Sequence, residues 1–234
     1  MIEGKGRSLK TLAVEGLSRE MIALRASKEI RDGTYVNLGI GIPTLVSNWI
    51  EGRDVILQAE IGMLKTGPLA TGDQIDQDLI NASCEPVTEL PGACYFDIVE
   101  SMAMIRGGHV DLAILGALQV SERGDFASWL NPTRGFPHGV GNIGGSMDLA
   151  VGAKRVIITM EHTAGDRPKI VKECTYPLTA RGVVDLIVTN LAVIEVTPDG
   201  LVLKEGYPGL TPADIQSVTE ARLTVAPNFK EIEL

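Results

Sequence analysis

The stretch Tyr35-Val36-Asn37-Leu38-Gly39-Ile40-Gly41-Ile42-Pro43, followed by Val55-Ile56-Leu57-Gln58-Ala59-Glu60-Ile61-Gly62, decides the fold. Tyr35 to Ile40 reads as a strand, Thr44 to Ile50 as a short helix with Pro43 at a position helices accept, and Val55 to Ala59 as a second strand. Strand, glycine turn, helix and strand make a compact right-handed βαβ crossover. The second strand delivers Glu60 to its carboxyl end, where open α/β sheets collect their ligands. Glu60 is therefore the candidate nucleophile. Ala59, Ile61, Met63 and Leu64 around it offer an apolar pocket, and partial desolvation raises a carboxylate's pKa. By spacing alone, Glu60 could instead point into water or pair with Lys65.

Working outward, Ser18 is a plausible N-cap for a helix over Arg19 to Arg31, whose Met21, Ile22, Arg25, Ala26, Glu29 and Ile30 give an apolar stripe with charged flanks. The segment from Gly62 to Pro91 reads as an irregular loop, of a length that usually serves binding or covers a site. Asp73, Asp76 and Asp78 within it lack calcium-loop spacing and a closing bidentate glutamate, so no metal is expected. A helix is predicted from Tyr95 to Arg106 with Phe96, Val99, Met102 and Ala103 on one face, then a buried strand over Val110 to Leu115. Further strands fall at Val156 to Met160, Leu186 to Thr189, Ala192 to Val196 and Leu201 to Lys204, with a hairpin turn at Thr197-Pro198-Asp199-Gly200. Thr211-Pro212 opens a last short helix with Asp214 near its positive end. With no linker or repeat, residues 1–234 read as a single domain of α/β class, an open and largely parallel sheet flanked by helices.

Composition narrows the function. A formal net charge of −9 without a basic run argues against nucleic acid. Cys84, Cys94 and Cys174 form no C-x-x-C pair and lack a nearby histidine, which suits structural cysteines in a reducing cytoplasm. No apolar run approaches a membrane span and no signal-peptide core is present. The slightly positive mean hydropathy favours an oligomer or partner surface.

The run Gly139-Val140-Gly141-Asn142-Ile143-Gly144-Gly145-Ser146-Met147-Asp148-Leu149 precedes a helix over Met147 to Gly152. Glycines there let backbone N–H groups approach an oxyanion or phosphate; the bland alternative is a loop that needs positive φ. The G-x-G-x-x-G spacing at 139, 141 and 144 lacks the strand and helix register of a dinucleotide site. His109, His138 and His162 form no local nucleophile pattern, and no Ser-His-Asp triad can be assembled. His162 after a buried strand could reach the site or be a hydrogen-bonded structural residue.

Taken together, these segments resemble the beta subunit of family I coenzyme A transferases of the 3-oxoacid type. Leu38-Gly39-Ile40-Gly41-Ile42-Pro43 resembles the opening glycine motif and Leu57-Gln58-Ala59-Glu60-Ile61-Gly62 the Ser-Glu-Asn-Gly signature. Gly107 to Leu112, Leu115 to Val120, Gly144 to Leu149 and Met160 to Thr163 follow in family order. The resemblance implies the CoA-transferase fold, with Glu60 forming an acyl-glutamyl anhydride and then a glutamyl-CoA thioester. It implies oxyanion donors at Gly144 and Gly145, with Gly39, Gly41, Gln119 and Asn142 as lesser pocket candidates. It further implies coenzyme A as substrate and covalent intermediate without a resident cofactor or metal, and an alpha subunit in a heterodimer or heterotetramer. The substrates would be a short acyl-CoA and a carboxylic acid. Ala59 and Ile61 stand where the family signature has Ser and Asn. Those exchanges are compatible with a diverged acyl-CoA hydrolase, a ring-cleaving relative or a non-catalytic CoA-ester-binding module.

Overall fold

A computed structural model describes residues 16–141 and 144–234. The long strands are β1 (Thr34–Leu38), β2 (Val55–Ala59), β3 (Met63–Leu69), β4 (Val87–Tyr95), β5 (Leu112–Gly116), β8 (Val156–Met160), β12 (Leu186–Thr189), β13 (Ala192–Thr197), β14 (Gly200–Gly206) and β15 (Leu223–Glu231). They form one ten-stranded sheet in the order β15-β14-β13-β12-β8-β5-β1-β2-β3-β4. Five neighbours, β12, β8, β5, β1 and β2, run parallel, and antiparallel pairs flank them on both sides. Sheets of that kind are covered on both faces, which is why β8 is apolar apart from Thr159 and buried at every position. The short strands β6 (Gln119–Ser121), β7 (Phe126–Ala127) and β11 (Ile170–Val171) form a small sheet, and β9 (Thr163–Ala164) pairs with β10 (Arg167–Pro168).

Helix α1 (Arg19–Ser27) and a 3-10 helix (Pro43–Trp49) cover one face. Ile22, Ala26 and Val46 pack there with Val36, Leu57, Ile114 and Ile157. Helices α2 (Ile98–Arg106) and α3 (Ser146–Gly152) cover the other, where Ile105, Leu149 and Ala150 meet Ala113, Leu115 and Ile158. Odd and even residues of β5 thus enter different cores, as the two-residue strand period requires. Ser18 caps α1 by accepting from Met21 N, and α4 (Pro212–Ser217) opens with a reciprocal capping box between Thr211 and Asp214.

The β1, short helix, β2 unit is present, with Thr34 to Asn37 in parallel register with Val55 to Gln58. Other expectations need correction. The segment from Gly62 to Pro91 is not one loop: all of β3 and the first part of β4 lie in it, an antiparallel pair with two register shifts. Interruptions at Gly67-Pro68 and the bulges destroy the alternation by which a strand is recognised. Helix α2 begins at Ile98, because Asp97 caps it and Tyr95 belongs to β4. Its buried side is Ser101 and Ile105, whereas Val99 is 74% exposed. Strand β15 has no clear signal in the sequence; Pro227 and Asn228 lie in its middle, and its partner β14 supplies the register. No helix among the described residues is long and apolar enough to cross a membrane.

Candidate functional site

Parallel strands end on a common edge, so the residues that follow β1, β2 and β5 converge there. They border a cavity of about 260 Å³ lined by Glu60, Gly39, Ile40, Leu115, Gly116, Leu118, Ser128, Gly144, Ser146 and Leu149, among others. The Gly39 turn is fastened by Thr44, whose Oγ1 donates to Gly39 O at 2.9 Å. The sharp turn after Glu60 needs Gly62: its φ is +123°, and a Cβ would lie 2.1 Å from Phe96 O.

Gly145 comes still closer to the chemistry. It adopts φ +68° at the N-cap of α3, and a Cβ there would sit 3.1 Å from Glu60 Cγ and 3.7 Å from Glu60 Cβ. Absence of a side chain lets this backbone lie against the carboxylate arm. Met102 on α2 closes the same spot from the other side, its Cε 3.6 Å from that position.

Glu60 sits largely inside the protein, and its Oε2 is buried without a hydrogen-bond partner. Burial raises the carboxyl above its ordinary value of 4.5, and its own backbone N–H and the nearby Asn37 amide only partly offset the rise. A carboxylate here is poorly solvated, which makes its oxygen a better nucleophile.

Of the sequence candidates, the structure brings Glu60, Gly39 and Gly144 together at the cavity and Gly145 against Glu60. Gly41 and Gln119 are not among the residues that line it. Gln119 instead latches a loop: its Oε1 accepts from Thr175 N (2.9 Å) and Tyr176 N (3.0 Å), and its Nε2 donates to Thr175 Oγ1 (3.0 Å). Asn142 lies outside the described residues. His162 is fully buried, with Nδ1 and Nε2 each 2.9 Å from a threonine hydroxyl, Thr189 and Thr219. Burial pushes its pKa down to about 3, so the ring is neutral and structural. The Cys174 thiol is pushed up to about 12, chiefly by burial, and is no nucleophile at neutral pH. No group of three or more His, Cys, Asp or Glu able to hold a metal occurs among the described residues.

Sequence reading missed Ser128, which lines the cavity directly after β7, the strand that pairs back antiparallel against β6. It also missed a buried polar row beneath Glu60, formed by Asn37, Gln58 and Ser101. The available signal was a side-chain amide in each of two adjacent strands, Asn37 in β1 and Gln58 in β2, which are register partners.

The family model described as Coenzyme A transferase matches residues 19–217. The chain belongs to the coenzyme A transferase family. It is 45% identical over 208 residues to the B subunit of succinyl-CoA:3-ketoacid coenzyme A transferase from Helicobacter pylori, covering 88% of this chain and 99% of that one. It is also 45% identical over 209 residues to the B subunit of 3-oxoadipate CoA-transferase from Acinetobacter baylyi, covering 88% and 95%. Among solved structures, the apoenzyme of acyl-CoA transferase (YdiF) from Escherichia coli O157:H7 superposes with a TM-score of 0.73 at 23% identity. That match covers 93% of this transferase-family chain but 43% of the other, and shows the shared fold.

Gly145→Ala tests the close approach. It forces an L side chain into left-handed backbone, at a cost of about 1–2 kcal/mol, and displaces Glu60. The variant should keep its fold by circular dichroism while coenzyme A transfer by the assembled enzyme falls by at least about tenfold.

Proposed function

We propose that this chain is the component of a 3-oxoacid-type coenzyme A transferase that carries the covalent step, with Glu60 as nucleophile. The observation that carries the reading is a buried carboxylate packed against a glycine backbone in a cavity at the carboxyl ends of parallel strands. Relatives named as B subunits, matched over nearly their full length, support a companion alpha subunit. Their names also support a short 3-oxoacid or dicarboxylic acyl group as the class transferred.

In this mechanism a Glu60 oxygen attacks the thioester carbonyl carbon, and the C–S bond breaks to release coenzyme A thiolate. The resulting acyl-glutamyl anhydride is attacked by that thiolate at the Glu60 carbonyl, which frees the donor acid and leaves a glutamyl-CoA thioester. An acceptor carboxylate then attacks the same carbonyl, the thiolate departs again, and its attack on the acceptor's carbonyl carbon forms the new acyl-CoA and restores Glu60. Each tetrahedral intermediate gathers negative charge on oxygen, and preorganised N–H donors at Gly144 and Gly145 suit that task. The apolar residues Ile40, Leu115, Leu118 and Leu149 keep the cavity poor in water, which protects an anhydride from hydrolysis.

The Ala59 and Ile61 exchanges are compatible with this chemistry. Ala59 is buried and Ile61 is half exposed, and neither side chain can offer Glu60 a hydrogen bond. The carboxylate is thereby left with burial as the main influence on its ionisation.

Glu60→Ala should reduce transfer to background with the fold intact, and borohydride added to the wild-type complex with acyl-CoA should leave a reduced residue at Glu60 in its peptide mass spectrum. Undiminished turnover by the variant, or an unmodified peptide, would refute the assignment. The pH profile of kcat/KM should also show Glu60, because only its ionised form attacks. Its pKa is raised, so activity should decline with falling pH around a midpoint above 4.5, the ordinary glutamate value.

A further inference from the structure

Two hydroxyls interrupt the apolar lining of the Glu60 cavity. Among the described residues that border it, only Glu60, Ser128 and Ser146 carry polar side-chain atoms; the rest are glycine, alanine, leucine and isoleucine. No cationic side chain is among them.

Ser128 is held from behind. Phe126 N donates to Ala180 O at 3.0 Å and the Trp129 indole Nε1 donates to Leu178 O at 3.2 Å, so the chain on both sides of Ser128 is laced to residues 178–180. Between those bonds, Ser128 N donates to Thr179 Oγ1 at 2.9 Å, and the two hydroxyl oxygens lie 2.8 Å apart. Each hydroxyl has one hydrogen and two lone pairs. Thr179 is 9% exposed, and among the described residues Ser128 Oγ is the acceptor that its hydrogen can reach. A buried donor takes such an acceptor, so Thr179 donates to Ser128. The Ser128 hydrogen is then left without a protein acceptor at the cavity wall.

A bound molecule must supply the oxygen that accepts it. A second carboxylate would bring its charge into an apolar space where this chain has no cation to pair with it, whereas a neutral carbonyl oxygen needs only the one donor. In a 3-oxoacyl thioester that oxygen is the ketone, two carbons beyond the carbonyl that Glu60 attacks.

We propose that Ser128, its hydrogen aimed by Thr179, recognises the ketone oxygen of a 3-oxoacyl group and so sets a preference for 3-oxo over unsubstituted acyl chains. Ser128 touches the substrate, and Thr179 is a positioning residue. The inference rests on the transferase reading of the cavity, but the contact can be observed without acyl transfer.

The test uses the assembled complex carrying Glu60→Gln, without acceptor acid. Adding Ser128→Ala should weaken binding of acetoacetyl-CoA by about tenfold, the weight of one hydrogen bond. Binding of butyryl-CoA, the same chain without the ketone, should change by less than about twofold. With ¹³C at the ketone carbon, the isotope-edited infrared band of bound acetoacetyl-CoA should move to higher frequency in Ser128→Ala and Thr179→Val, and stay in place in Thr179→Ser. Equal losses for the two thioesters, or an unmoved ketone band in Ser128→Ala, would overturn the proposal. Selective loss in a complex whose wild-type Glu60 never carries an adduct would keep the ketone contact and end the covalent reading instead.

Discussion

Contact between the Gly145 backbone and the Glu60 side chain is the constraint on which the site depends. Glu60 ends a strand on one side of β1, and the Gly144-Gly145 turn leads into α3, far away in the chain. Only the parallel order β2-β1-β5-β8 brings the strand ends and the start of α3 to one edge. A Cβ at position 145 would be strained at φ +68° and would crowd the Glu60 arm, which would have to give by a few tenths of an ångström. The fold therefore makes the nucleophile and its glycine neighbour a single packing unit.

Burial gives that unit its chemistry and opposes stability. A carboxylate whose pKa is raised on folding destabilises the native state as pH rises from the ordinary value through the raised one. The protein thus holds at neutral pH a group that would be better solvated unfolded, a strain tolerated where reactivity requires it. Partners elsewhere are ample by comparison: Arg25, buried in α1, makes bidentate bonds of 2.8 and 2.9 Å to Glu205 and a third to Glu29. The contrast sets Glu60 apart from the structural charges.

Local pattern was enough to read much of the fold. Val156–Met160 and Leu186–Thr189 are uninterrupted, mostly apolar runs, and both are strands with those ends. The Pro198-Asp199-Gly200 turn and the Thr211 cap carry their own chemistry and stand where expected. Strands β3, β4 and β15 were not readable, because Gly, Pro and bulges break their alternation and neighbouring strands impose the register. The same distinction holds at the site. Glu60 and the glycine pair stand in motifs, whereas the Asn37, Gln58 and Ser101 row joins three elements distant in the chain and exists only once β1, β2 and α2 pack. Gln119 shows the converse: a residue within a motif, yet engaged in holding the Thr175-Tyr176 loop.

The central claim, that an acceptor acid reacts with a thioester carried on Glu60, is tested most directly by isotope transfer. A single turnover with an acceptor whose carboxylate oxygens are ¹⁸O should place one labelled oxygen in Glu60, read as a mass shift of its peptide after the coenzyme is released. Label confined to the acyl products, with an unlabelled Glu60 after that turnover, would contradict the account.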